Sequence, residues 1–171
     1  MAITKLIADS ITSGAVGVTQ ADLWRLTSIL SSSSTNTVIA SNLERADDAS
    51  SGLVGSGMSQ SSGIFTFPQT GIYEVTFSAQ FYYAGDSRYI NATIEVTTDN
   101  SNYDRVTQNL AHIEQSYSIA HQNVTASALI DVTDTSNVKV RFAYASDSST
   151  NLNSDTDYNL TYMKFIRLGD T

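Results

Sequence analysis

Apolar and polar residues alternate with a period of two along most of this chain, the period of an extended strand with two unlike faces. The clearest run is GIYEVTFSAQFYY, from Gly71 to Tyr83. Tyr73, Val75, Phe77, Ala79, Phe81 and Tyr83 share one side of it, and Thr76, Ser78, Gln80 and Tyr82 the other. The same period groups Ile90, Ala92, Ile94 and Val96, then Val124, Ala126, Ala128, Ile130 and Val132, then Val138, Val140, Phe142 and Tyr144. Further strands are predicted over Leu23–Ile29, which carries Trp24, over Val38–Ala40, over Tyr103–Gln115 and over Tyr158–Leu168. Clusters of Gly, Ser, Thr, Asn and Asp separate these runs, and no segment shows a helical period of useful length. The pattern predicts an all-β domain of many short antiparallel strands.

Three segments depart from simple alternation. NLERADDASSGLVGSGMSQSSG, from Asn42 to Gly63, is long for a loop in a compact domain, and Leu53, Val54 and Met58 are its expected anchors. In the last strand Leu160, Tyr162, Ile166 and Leu168 take one face, while Met163 and Phe165 take the other. A strand apolar on both faces needs cover on both, so Met163 and Phe165 are expected to meet another chain. Residues 1–20 have no turn-bounded alternation. Ile3, Leu6, Ile7 and Ile11 fall near helical spacing, but Thr4, Ser10, Thr12 and Ser13 disfavour a free helix. This reading gives an arm over 1–20, ordered by a partner or simply frayed, followed by a single domain over 21–171.

A net charge of −8, with only 15% of residues charged, disfavours nucleic acid and anionic lipid as partners. The chain has no cysteine, so its fold does not rely on disulfides. The apolar run Leu6-Ile7-Ala8 stops at Asp9, which argues against a secretory leader, and no stretch is long enough to predict membrane insertion. Asn-x-Thr sequons at Asn91, Asn123 and Asn159 are read as strand chemistry in a Thr-rich protein. No Gly-x-Ser-x-Gly turn or cysteine nucleophile is present, and the two histidines are too few for a cupin-type metal set. The expectation is therefore a non-enzymatic protein without a cofactor. Asp147, Asp155 and Asp157 are weak candidates for calcium, with a solvated acidic loop the favoured alternative. His112 and His121 would face each other if Gln115–Ser118 formed a tight turn, a second weak metal candidate.

Gly63-x-Phe65-x-x-Pro68-x-x-Gly71-x-Tyr73 resembles the signature of the C1q/TNF-like jelly-roll family. ASALIDVTDTSNVKVRFAYAS and TYMKFIRLG are similar to that family's later strands, in the right order. Phe67 stands where the family often has cysteine, and Thr133–Asn137 where it favours Gly-Asp. The resemblance implies a two-sheet antiparallel sandwich of ten strands that forms a tight homotrimer. It places Thr76, Ser78, Gln80, Tyr82, Met163 and Phe165 at the trimer interface. Strand reversal gathers the loops Ala84–Ser87, Gln115–Ser118 and Asp147–Thr156 at the end away from the termini. Gly85, Asp86, Ser116, Tyr117, Asn151 and Asn153 are the candidate receptor-binding residues there.

KLIADSITSGAV and ERADDASSGLVGSGMSQSSGIFTFPQTGIY resemble short virion proteins of tailed phages of marine bacteria, cyanophages in particular. That resemblance implies a non-enzymatic knob on the virion surface, decorating the head or forming part of a tail fibre or spike. The arm, through Ile3, Leu6, Ile7 and Ile11, would dock it on other virion proteins, and host glycan or protein would be the outer partner. The alternative is a secreted C1q/TNF-like ligand or lectin-type binding module.

Overall fold

The computed structural model describes residues 17–115 and 118–171, and all of its regular structure is strand. The elements are β1 (Ala21–Leu26), β2 (Leu30–Ser31), β3 (Thr37–Val38), β4 (Leu43–Arg45), β5 (Ser59–Ser61), β6 (Ile64–Thr66) and β7 (Gly71–Tyr83). They continue with β8 (Ser87–Thr97), β9 (Asp104–Ile113), β10 (Ala120–Val132), β11 (Lys139–Ser146), β12 (Asn151–Leu152) and β13 (Tyr162–Gly169). Every pairing is antiparallel, and two sheets result.

The first sheet is built on β7. One edge of β7 pairs with β10 over its whole length, from Gly71↔Val132 to Tyr83↔Ala120. The other edge takes β13 against Ile72–Ser78 and β12 against Phe81–Tyr82, with the chain between them looping outward. Beyond these lie β1 on β13, β2 on β12, and β4 at the margin. The second sheet runs β5-β6-β11-β8-β9, with β3 sharing an edge of β11.

The core lies between the sheets, and it is the alternation made solid. Tyr73, Val75, Phe77, Ala79 and Phe81 point inward from β7, Ile90, Ala92, Ile94 and Val96 from β8, and Val140, Phe142 and Tyr144 from β11. Phe65 is the hub: its ring lies 5.5 Å from Trp24, 5.4 Å from Phe142 and 5.2 Å from Phe165. Large rings in such edge-on and tilted contacts add to the roughly 150–250 Å² that each buries.

Each fixed residue of the signature has a local cause. Ser62 and Gly63 both have positive φ, 51° and 77°, as the two-residue turn joining β5 to β6 requires. A side chain on Gly63 would also lie 1.9 Å from the Ile39 carbonyl oxygen. Pro68 ends β6, where it has no ladder bond to donate. Gly71, at φ 140°, opens β7 directly beneath the Arg167 guanidinium. The Tyr73 hydroxyl donates to the Gln69 carbonyl, closing the turn.

One pair of sheet edges is joined by side chains. Thr107 Oγ1 donates to the Ser127 carbonyl at 3.1 Å and Asn109 Nδ2 to the Thr125 carbonyl at 2.5 Å. The edge strand β9 of one sheet is thus stitched to the edge strand β10 of the other without a backbone ladder, which removes a template for strand addition.

Candidate functional site

Sequence reading placed Met163 and Phe165 between subunits, and the structure corrects this. Both are fully buried between the two sheets, Phe165 against Phe65 and Phe142. The chain's own second sheet supplies the cover that another chain was expected to provide. The outward residues of β13 are Tyr162, Lys164, Ile166 and Leu168.

Those residues lie on the outer face of the first sheet, together with Thr76, Ser78, Gln80 and Tyr82 of β7, which alternate with its core residues. Thr76 and Ser78 are already buried within one chain, under the longer side chains of β10 and β13. Ser78 Oγ exchanges hydrogen bonds with the Asn123 amide, and Gln80 Oε1 accepts from Asn153 Nδ2 at 2.8 Å. The Tyr82 ring lies 5.6 Å from that of His121. Nearer the chain termini this face turns apolar. Leu129 on β10 is 70% exposed, Glu74 stands between it and Ile166, and Leu168 is also exposed.

At the margin of this face lies a feature that sequence reading missed. Arg25, on β1, is 1% exposed, and its guanidinium donates to Glu44 at 2.7 Å, Asp48 at 2.7 Å and Asp47 at 2.5 Å. Burial alone would pull its pKa down, but the hydrogen bonds from Asp48 and Glu44 more than offset this and hold it above the ordinary arginine value. The Arg25 bond in turn holds the Asp48 carboxyl below the usual carboxylate range.

The segment 42–63 is thus pinned mainly by polar bonds. Leu53 and Val54, expected as anchors, are exposed, and only Met58 is buried. Asp22 binds the Met58 amide at 2.7 Å and the Arg45 guanidinium at 2.9 Å, and Val54 joins Ala21 through the backbone. The available signal was Arg25 itself, the one cation of β1, followed in sequence by the three acids Glu44, Asp47 and Asp48.

At the end away from the termini, Asp86 Oδ1 accepts from the Gln115 amide at 2.7 Å, Ser148 Oγ donates to the Asp86 carbonyl at 3.1 Å, and Arg88 pairs with Asp147 at 2.6 Å. This brings Gly85 and Asp86 together with Gln115 and Ser148. Ser116 and Tyr117 lie outside the described residues, as do Ile3, Leu6, Ile7 and Ile11. Asn151, in β12, pairs with Tyr82 near the end of β7, and Asn153 Nδ2 donates to Gln80 Oε1; both are half-buried. At the opposite end the Asn100 amide donates to the Asn137 carbonyl, joining the 98–103 and 133–137 loops.

The two metal suggestions find no geometry. The Arg88 hydrogen bond holds the Asp147 carboxyl below its ordinary range. Asp155 caps its own turn by accepting the Asp157 amide, beside Leu26 and away from Asp147. His112 is on β9, the edge strand of the second sheet, and His121 on β10, that of the first, and among the described residues no ring contact joins them. Among the described residues no three acidic, histidine or cysteine side chains converge. Of the sequons, Asn91 is buried in β8 and Asn123 lies exposed in β10, but Asn159 is in an irregular turn rather than a strand.

The outer face of the second sheet carries a continuous polar network. Glu95 Oε2 accepts from Arg141 Nε at 2.7 Å and Oε1 from Asn36 Nδ2 at 3.0 Å. Arg141 stacks on the Tyr103 ring at 4.0 Å. Thr93 Oγ1 lies between the Asn36, Asn91 and Gln108 amides, and Arg105 donates to Gln108 Oε1 at 2.9 Å. To reach β8, Asn36 passes over β11, which presents only Ala143 and Ala145 at that level.

No family model and no curated protein matches the sequence. Solved structures do match the fold. Murine APRIL superposes with a TM-score of 0.61 at 12% identity, covering 87% of this chain and 98% of that one. The Eiger TNF of S. frugiperda gives 0.60 at 14% identity, covering 88% and 93%. Likeness at this identity speaks to architecture, and the two-sheet antiparallel sandwich of this chain is a TNF-like jelly roll.

Proposed function

We propose that this protein is a non-enzymatic virion surface protein, a self-associating knob that presents a TNF-like jelly roll and docks through residues 1–20 onto another virion component. One observation carries the self-association: exposed Leu129 and Leu168 and half-buried Ile166 surround Glu74 in a largely apolar zone on the outer face of the first sheet. The trimer implied by the sequence resemblance would cover that zone, in an obligate interface of about 2,000–5,000 Å². The virion assignment rests on the similarity of KLIADSITSGAV and the Glu44–Tyr73 stretch to short phage virion proteins.

The test is direct. Mass spectrometry of purified particles should find the protein at many copies per virion, and deletion of residues 2–20 should leave an assembled oligomer that no longer joins the particle. Absence from particles overturns the assignment. A second reading, a secreted C1q/TNF-like ligand or lectin-type binding module, is favoured by the likeness to murine APRIL and the Eiger TNF. Recovery of the protein in the medium, free of particles, would select it.

A further inference from the structure

On the outer face of the second sheet the polar network borders a groove of about 280 Å³, and its floor and walls differ in chemistry. Asn91 and Ala145 are cross-strand partners on the floor, and the small Ala145 side chain keeps that floor low. Leu110, opposite Asn91 on β9, and Gln108 form one wall. Asn36 forms the other, and Tyr89 closes one end.

Asn91 is the informative residue. It is only 5% exposed, in the middle of β8. Its Oδ1 lies 3.4 Å from Thr93 Oγ1, whose one proton it shares with Asn36 Oδ1 at the same distance, and its Nδ2 donates to none of the described residues. The Nδ2 is open to solvent in the groove rather than sealed without a partner. Asn36 and Gln108 lie along the same groove, and both are already held in position through Thr93, Glu95 and Arg105.

From this geometry we infer that the groove is a saccharide-binding site that takes a pyranose ring of a surface polysaccharide. Three fixed amides offer donors and acceptors a few ångströms apart, which is what neighbouring hydroxyls of a sugar require. The Leu110 and Tyr89 side chains supply the apolar contact for the C–H face of the ring. Leu110, 60% exposed beside these amides, has its use here. A hydroxyl of the sugar supplies the acceptor that Asn91 Nδ2 lacks. Neither nucleic acid nor an acidic peptide fits as well: Arg105 is the single cation at the groove, it is tied to Gln108, and the chain carries a net charge of −8. The site is one per chain, so a self-associated form gains avidity on a repeating polymer. The inference deepens the reading of the protein as a binding knob, and it moves the ligand from the loop tip to the flank.

The experiment is a titration of the isotopically labelled full chain with glucose, galactose, mannose, N-acetylglucosamine and glucuronic acid, followed by amide and methyl NMR. At least one sugar should give saturable shifts at the Asn36, Asn91 and Gln108 side-chain amides and the Leu110 methyls, with a dissociation constant of about 1 mM. Gln108→Ala and Leu110→Asp, both at the exposed wall, should each weaken binding by about tenfold while the remaining spectrum stays native. The inference is overturned if no sugar gives saturable shifts, if the shifts map to Gly85–Ser87 and Gln115 instead, or if both folded variants bind as the parent does. Because the purified chain is used, failure here says nothing about presence on particles, and absence from particles would leave a positive titration standing.

Discussion

The two outer faces of the sandwich are built by the same strand alternation yet are finished differently. On the second sheet, Asn91, Thr93, Glu95 and Thr97 point outward from β8 but are buried: Asn36, Gln108 and Arg141 bond to Thr93 and Glu95, Arg105 holds Gln108, and Asp99 and Ser101 bond to Thr97. That face completes itself within one chain, save for one amide. On the first sheet, the middle rows are satisfied locally by Ser78, Asn123 and Gln80, but the rows around Leu129, Ile166 and Leu168 remain open. Period-two patterning alone decides which residues point outward. What covers them depends on long-range neighbours, and those differ between the faces.

The sharpest way to test this partition compares neighbours on one strand. Phe165→Ala should cost about 3–5 kcal/mol, since it empties the space between Phe65 and Phe142. Ile166→Ala, one residue on and facing outward, should cost under about 1 kcal/mol in the dissociated chain. Urea unfolding of both reads the difference, and equal losses would mean that the faces are misassigned.

Next in size is the margin of the first face. Arg25→Ala should cost about 2–3 kcal/mol, less than for a wholly buried pair because Asp47 and Glu44 are partly exposed. The same variant should raise proteolytic cleavage within 46–56, since Arg25 is what holds Glu44, Asp47 and Asp48.

A smaller stability effect separates the two faces by another readout. Leu129→Lys with Ile166→Lys, one on each side of Glu74, should change the unfolding free energy by about 0.5 kcal/mol or less per site, yet abolish the proposed self-association in sedimentation. Glu95→Gln, on the other face, should leave the proposed self-association unchanged while weakening the Asn36–Glu95–Arg141 bonds. If the assignments of the faces were exchanged, so would these outcomes be.

The smallest effect is the pH response of the loop ends. Asp99 is held below the usual carboxylate range first by the Asn102 side-chain amide, then by the Asn102 and Ser101 backbone amides and the Thr97 hydroxyl. Its folded pKa lies below the unfolded value of 3.8, so its contribution is present above that value and is lost as pH falls further. Asp48 and Asp147 are shifted the same way by Arg25 and Arg88. Thermal stability should therefore be flat from neutrality to about pH 5 and decline below about pH 4. Asp99→Asn should blunt the decline without shifting its onset upward.

How much of this was legible beforehand varies with the range of the interaction. The core residues of β7, β8, β10 and β11 could be read directly, because in a strand the side is fixed by parity and burial follows hydrophobicity. The Gly63–Tyr73 signature could also be read, since φ values at Ser62–Gly63 and Gly71 are local demands. β5 was missed because SQS has no apolar alternation, and its pairing is set by the turn that follows it. Met163 and Phe165 were assigned to the wrong surface because a strand with apolar residues on both sides does not say which side meets its own chain.

The sequence by itself therefore determined an all-β domain and the inward set of β7, β8, β10 and β11. Only the tertiary structure decided that Glu44, Asp47 and Asp48 belong to Arg25, that His112 and His121 stand on different sheets, and that Asn36, Asn91 and Gln108 share one groove. The physical reason is the same in each case. Alternation is a property of neighbours along the chain, whereas a polar cluster assembled from β1, β4, β8 and β9 depends on strand order and register, which no local pattern encodes.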